Sequence, residues 1–185
     1  IRFMLESSKY NPMNFFFTMP SCVPPTVMET SGSSLSAFDI YPFLREKWVV
    51  GLGEVMNYPN VLSCDHDLLD KISIYSEKRL EGHAPGVTGK ALAGYISTGI
   101  SSDHEATNLK EAQEKLRLGM YVMIREGSAA KNLADILPLV KPENKSRFML
   151  VTDDHNPVDI VKHGHIDGVV RKSIKLGLDP VTAIQ

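Results

Sequence analysis

Of the 185 residues, 43% are hydrophobic and 23% charged, the balance of a globular chain with a sizeable core. Lys and Arg total 20 against 22 Asp and Glu, and the resulting net charge of −2 argues against a nucleic-acid-binding surface. Two cysteines, Cys22 and Cys64, are too few for a disulfide scaffold or a Cys-based zinc site, and the apolar runs at 120–125 and 148–152 are strand-length, not membrane-spanning. With no signal-peptide pattern at the start, a reducing cytoplasm is the expected compartment. The segment 1–9 reads as the closing turns of a helix, and 179–185 as a helix still running at the last residue. Both ends predict a piece of a longer protein.

Strand and helix patterns alternate along the chain. Phe15–Met19 is a compact aromatic run stopped by Pro20, and a short helix over Phe38–Glu46 follows, with Ser36 placed to cap it. Trp48–Glu54 is rich in β formers, and its glycines predict close backbone approach. A helix over Asp65–Ser76 has Leu68, Leu69, Ile72 and Tyr75 at helical spacing, and a weak strand over Lys78–Gly82 ends at His83. Thr88–Thr98 places Leu92, Tyr95 and Ile96 on one helical side, and Ile100–Ser102 is a very short strand. Asn108-Leu-Lys-Glu111 predicts a capping box for a helix running to Gly119, with Leu109, Ala112 and Leu116 facing inward. Met120–Arg125 is a strand, Ser128–Val140 is mostly helical, and Arg147–Thr152 is the last strand, with helices near Val158–His163 and Asp167–Leu176. Met120, Met123 and Met149 read as strand core.

Six strand-like segments, each followed by a helix, imply an α/β fold with a parallel sheet. An open doubly wound sheet and a (β/α)8 barrel both satisfy that pattern. Gly51-Leu-Gly53 has no third glycine, which disfavours dinucleotide binding.

The reactive side chains recur at strand ends. Glu54 ends one strand, His83 follows the next, His104 follows a third, and Asp153 follows the last. In parallel α/β folds such positions converge on the face that holds the active site. Two imidazoles and two carboxylates arriving there suit a hard-to-intermediate metal ion. Each residue also has a plainer reading. Glu54 can pair with a lysine, His83 can shape the Gly82–Gly86 loop, His104 and Asp103 can cap a helix, and Asp153 and Asp154 can cap the one after them. Their recurrence at one edge favours the joint reading. His66, His163 and His165 read as structural, and Cys22 has no histidine beside it to make it a nucleophile.

The motifs Met19-Pro-Ser-Cys-Val-Pro24, Gly53-Glu-Val-Met-Asn57, Gly82-His-Ala-Pro-Gly86, Ser102-Asp-His-Glu105, Arg125-Glu-Gly-Ser-Ala129 and Val151-Thr-Asp-Asp154 occur in the order seen in bacterial-type adenine deaminases. Gly164-His-Ile-Asp167 and Val169-Val-Arg171 extend the likeness over nearly the whole chain. The sequence thus resembles an internal fragment of that family, which is part of the amidohydrolase superfamily. The resemblance implies a partial (β/α)8 barrel with strands three to eight represented, so that residues 1–185 form a catalytic barrel fragment. The first strands, their His-x-His pair and a small β domain are expected outside this sequence.

It further implies a binuclear divalent metal centre of manganese, iron or zinc, with Glu54 as the bridging carboxylate. His83 and His104 would bind the second metal, and Asp153, in preference to Asp154, would contact metal and hold the proton of the bridging water. The implied reaction is hydrolytic deamination of adenine to hypoxanthine and ammonia in purine salvage. Glu105 is a candidate proton shuttle, and Arg125, Glu126 and Ser128 either read the purine edge or form a salt-bridged loop. Expected partners are adenine and either a second copy or a complementing segment of the same protein, with no nucleic acid and no membrane. The alternatives are a related amidohydrolase acting on another amidine or cyclic amide, and a barrel fragment inactive alone.

Overall fold

The structure, a computed structural model, describes residues 1–185. In chain order the elements are α1 (Arg2–Ser8), β1 (Phe17–Pro20), α2 (Ala37–Ile40), β2 (Val49–Val55), α3 (Tyr58–Leu62), α4 (His66–Ile74), β3 (Arg79–Gly82) and α5 (Gly89–Ser97). They continue as β4 (Ser102–Asp103), α6 (Leu109–Arg117), β5 (Tyr121–Arg125), α7 (Leu133–Ile136), β6 (Phe148–Val151), α8 (Pro157–His163), α9 (Ile166–Lys175) and α10 (Pro180–Ile184). Two compact units divide the chain: Ile1–His83 with Ala93–Ser101, and Ala84–Leu92 with Ser102–Gln185. All strand pairings within each unit are parallel and follow chain order, with helix between successive strands. This is the α/β class of a partial (β/α)8 barrel. No helix is long and apolar enough to cross a membrane.

In the first unit β2 lies between β1 and β3. Its glycines are there for the close approach that the sequence predicts. A Cβ on Gly51 would lie 2.2 Å from the Arg79 carbonyl oxygen, and one on Gly53 would lie 2.1 Å from Thr18 Oγ1. Leu52 and Val55 of the same strand are fully buried, as are Ile40 and Tyr75. The Tyr75 hydroxyl donates to the Ile40 carbonyl at 2.8 Å, and burial pushes its pKa up to about 12. The helix expected over Phe38–Glu46 is shorter: α2 gives way to a 3-10 turn at Tyr41–Phe43, where Pro42 lacks the amide that an α-helix needs. The Ser36 amide and hydroxyl both donate to the Asp39 carboxylate, which lowers its pKa.

The second unit packs Ala112, Val122, Ile124, Leu133, Ile136 and Val169 into one apolar cluster. Asn108 caps α6 by accepting the Glu111 amide at 3.0 Å. The reciprocal half of the expected capping box does not form. The Glu111 carboxylate takes the Thr107 amide and hydroxyl instead, together with the Gly86 amide and the Lys115 ammonium. The buried residues of α6 are therefore Glu111, Ala112 and Lys115, and Leu116 packs against the apolar cluster as expected, while Leu109, expected inside, is exposed. Met149 is also exposed, in contrast to fully buried Met120. Residues 128–132 are not helical although helix was expected from Ser128, because the amides of Gly127 and Ser128 bond the Ala130 and Asp154 carbonyls and that of Asn132 bonds the Arg125 carbonyl.

Two predictions follow from this packing. Gly53→Ala should cost about 1–3 kcal/mol, measured by denaturant unfolding, since the added methyl group meets Thr18; an unchanged midpoint would contradict the packing described. Burial pushes the Glu111 pKa up, but the Lys115 and Thr107 hydrogen bonds outweigh it and leave the group below its ordinary value. A lowered carboxylate pKa contributes stability above the unfolded-state value, and that contribution is lost as pH falls through the folded one. Glu111→Gln should therefore flatten the acid limb of the stability–pH curve below the usual glutamate range, and an unaltered limb would exclude this linkage.

Candidate metal-binding clusters and active site

The first unit brings Glu54 and His83 together. Glu54 sits at the end of β2 with a φ of 46°, a left-handed conformation that is costly for a residue with a side chain. Its backbone is pinned: Ser21 Oγ donates to the Glu54 carbonyl at 2.5 Å, and buried Lys71 Nζ donates to the Ser21 carbonyl at 3.1 Å. His83 follows β3, and its Nδ1 lies 3.6 Å from Glu54 Oε2. Tyr95 ties the two strand ends to each other. Its fully buried hydroxyl accepts the His83 amide at 3.0 Å and donates to the Val55 carbonyl at 2.5 Å. The sequence shows Tyr95 only as a core residue, because its bonds run to backbone groups 12 and 40 positions away.

The second unit gathers His104, Glu105, Arg125 and Asp153. One potential ligand atom from each of His104, Glu105 and Asp153 lies within 4.8 Å of the others. His104 Nε2 is 3.7 Å from Glu105 Oε1. Arg125 Nη1 donates to both Glu105 and Asp153. Burial alone would lower the pKa of Arg125, but its bonds to Asp153 and Glu105 outweigh that and raise it, so the guanidinium stays charged. Asp153 follows β6 with a φ of 54°. Glu54 and Asp153 are thus two of the three non-glycine residues with positive φ, the third being Cys64. Such strain concentrates where a side chain must be aimed against the local preference of the backbone.

The other residues singled out from the sequence have different surroundings. Glu126 Oε1 pairs with Lys172 at 2.6 Å, while Glu126 Oε2 and the neighbouring Arg125 Nε are buried and have no hydrogen-bond partner. Glu126 lines a cavity of about 500 Å³. Ser128 brackets the acidic loop after β6: its amide donates to the Asp154 carbonyl and its Oγ accepts the Asn156 amide, both at 2.9 Å. The Asp154 side chain is outside the His104 cluster. His66 is exposed, and His165 stacks on His155 with ring centroids 5.7 Å apart. Asp103, readable from sequence as a helix cap, is instead fully buried and bonded to Lys115 at 2.7 Å.

The donor set in both clusters is imidazole nitrogen and carboxylate oxygen, without thiolate, and it fits hard-to-intermediate divalent ions. Such donors at strand ends of a parallel α/β fold are placed where a divalent metal ion can be held. No family model matches the chain. Among known proteins, the whole chain is 52% identical to the adenine deaminase of Dehalococcoides mccartyi strain 195 and 45% identical to adenine deaminase 2 of Carboxydothermus hydrogenoformans. It is 47% identical to the adenine deaminase of Thermosipho africanus. The match covers 32% of the first two proteins and 33% of the third, so the chain spans about a third of the length of the curated relatives it matches. Over its full length it corresponds to an internal segment of adenine deaminases.

The positive φ at Glu54 separates backbone from side-chain effects. Glu54→Gly should be more stable than Glu54→Ala by about 1 kcal/mol, because only glycine adopts that conformation freely. Equal unfolding midpoints would mean that the strand end carries no such strain.

Proposed function

We propose that this chain is the catalytic barrel segment of an adenine deaminase, which hydrolyses adenine to hypoxanthine and ammonia in cytoplasmic purine salvage. The observation that carries the reading is identity of 52% to 43%, along the whole chain, to proteins bearing that name. The local geometry agrees with it. Glu54, His83, His104 and Asp153 are the proposed ligands of a binuclear divalent centre of manganese, iron or zinc, with Glu54 bridging. When bound, such a centre lowers the pKa of water so that hydroxide is available near neutral pH.

The chain's own groups handle protons and orientation. Asp153 accepts the proton released as water attacks the purine carbon bearing the amine. That proton is then delivered from Asp153 to the ring nitrogen or the departing amine, a transfer in which Glu105, held beside Asp153 on Arg125, takes part. Arg125 keeps the two carboxylates oriented and neutralises part of their charge. Glu126 reads the purine. Its buried, unpartnered Oε2 is an acceptor, and adenine offers an amino donor beside a ring-nitrogen acceptor. Ser128 shapes the loop that presents Asp153. A complementing segment of the same protein, or a second copy, supplies the remaining ligands.

The test is ammonia release by the intact protein from adenine and from a panel of other amidines and cyclic amides. Adenine should be the preferred substrate, and Asp153→Asn should lower kcat by about 100- to 10,000-fold. Release from other compounds but not from adenine would replace the assignment with a related amidohydrolase. Glu54→Gln should abolish double metal occupancy, and retained occupancy would remove Glu54 from the bridging position.

A further inference from the structure

The buried charges around α6 touch no proposed substrate or metal group, yet they hold the backbone on which such groups are mounted. Lys115 is fully buried, and its ammonium uses its three donors on the Ala84 carbonyl at 2.8 Å, Asp103 Oδ2 at 2.7 Å and Glu111 Oε1 at 2.7 Å. The two carboxylates in turn hold four backbone amides. Asp103 accepts those of Ala84 at 2.8 Å and Glu105 at 3.0 Å. Glu111 accepts those of Gly86 at 2.9 Å and Thr107 at 3.0 Å. Two of these amides belong to the residues just after His104, and the other two to the loop that begins directly after His83.

We propose that Lys115, bound to Asp103 and Glu111, is a positioning residue for the strand-end chemistry: it fixes the loops that carry His104 and Glu105 and that follow His83. The carboxylates orient the loop amides, and the ammonium ties the two carboxylates and the Ala84 carbonyl together. The cluster therefore controls where an imidazole and a carboxylate point without contacting substrate. The inference rests on the deaminase reading for its kinetic readout, while its metal-affinity readout is independent of substrate.

Lys115→Met alone leaves two buried carboxylates without their cation, a loss large enough to prevent folding, so the informative variant is the neutral triple Asp103→Asn, Glu111→Gln, Lys115→Met in the intact protein. Thermal melting establishes that it folds. The expected result is a kcat lowered about 100-fold by misplacement of the reacting groups, with KM for adenine changed less than about threefold. Metal affinity, read by chelator competition, should weaken about tenfold or more, as when other outer-shell partners of metal ligands are lost. A folded triple variant with parental kcat and metal affinity would falsify the positioning role and leave a purely structural one. If the triple variant does not fold, Glu111→Gln decides by the same measurements: it should keep Lys115 paired with Asp103 and still lower kcat and metal affinity, and parental values would overturn the proposal. A parent protein that releases no ammonia from adenine defeats the deaminase reading instead, and metal affinity alone then judges the inference.

Discussion

A single ammonium, buried where no water reaches it, sets the terms for half of the chain. Lys115 has zero exposure and sits against two carboxylates that are themselves 0% and 3% exposed. An ion so placed is tolerable only with every hydrogen bond made, and here the partners are drawn from β4, from α6 and from the loop after His83. The demand for full satisfaction gives that loop and the 103–107 segment one arrangement. His104 and Glu105 are the residues carried on it.

The same logic of anchoring recurs at the end of β2 with neutral groups. Tyr95 bridges the His83 amide and the Val55 carbonyl, and Ser21 fastens the Glu54 carbonyl. These bonds hold Glu54 in a backbone conformation it would not choose alone. At the end of β6 the Ser128 contacts do the corresponding work for Asp153, whose φ is also positive. Carboxylates aimed by a strained and well-tied backbone are suited to a site where position matters more than stability.

Much of this frame is legible in the sequence. The strand–helix alternation places Glu54, His83, His104 and Asp153 at strand ends, and the structure has each of them there. Asn108 announces the start of α6, and the glycines of β2 announce close packing. What the sequence hides is non-local. Helical periodicity counts Glu111 and Lys115 as outward because it scores charge, whereas their partners lie as far as 31 residues away. Leu109 satisfies the apolar pattern yet is exposed, since the inward arc is set by the buried ions. Asp103 looks like a local cap for the same reason. The contribution of Arg125 is likewise visible only once Glu105 and Asp153, 20 and 28 residues distant, meet on its guanidinium.

The chain provides carboxylates, imidazole donors and the scaffold that orients them, and the proposed function puts them to use in direct attack of water on adenine. The most direct measurement is the product formed from adenine by the intact protein in oxygen-18-labelled water, read by mass spectrometry. Hydrolysis as proposed gives hypoxanthine carrying one labelled oxygen at the carbon from which ammonia departs. Unlabelled hypoxanthine, or no conversion of adenine, would contradict it.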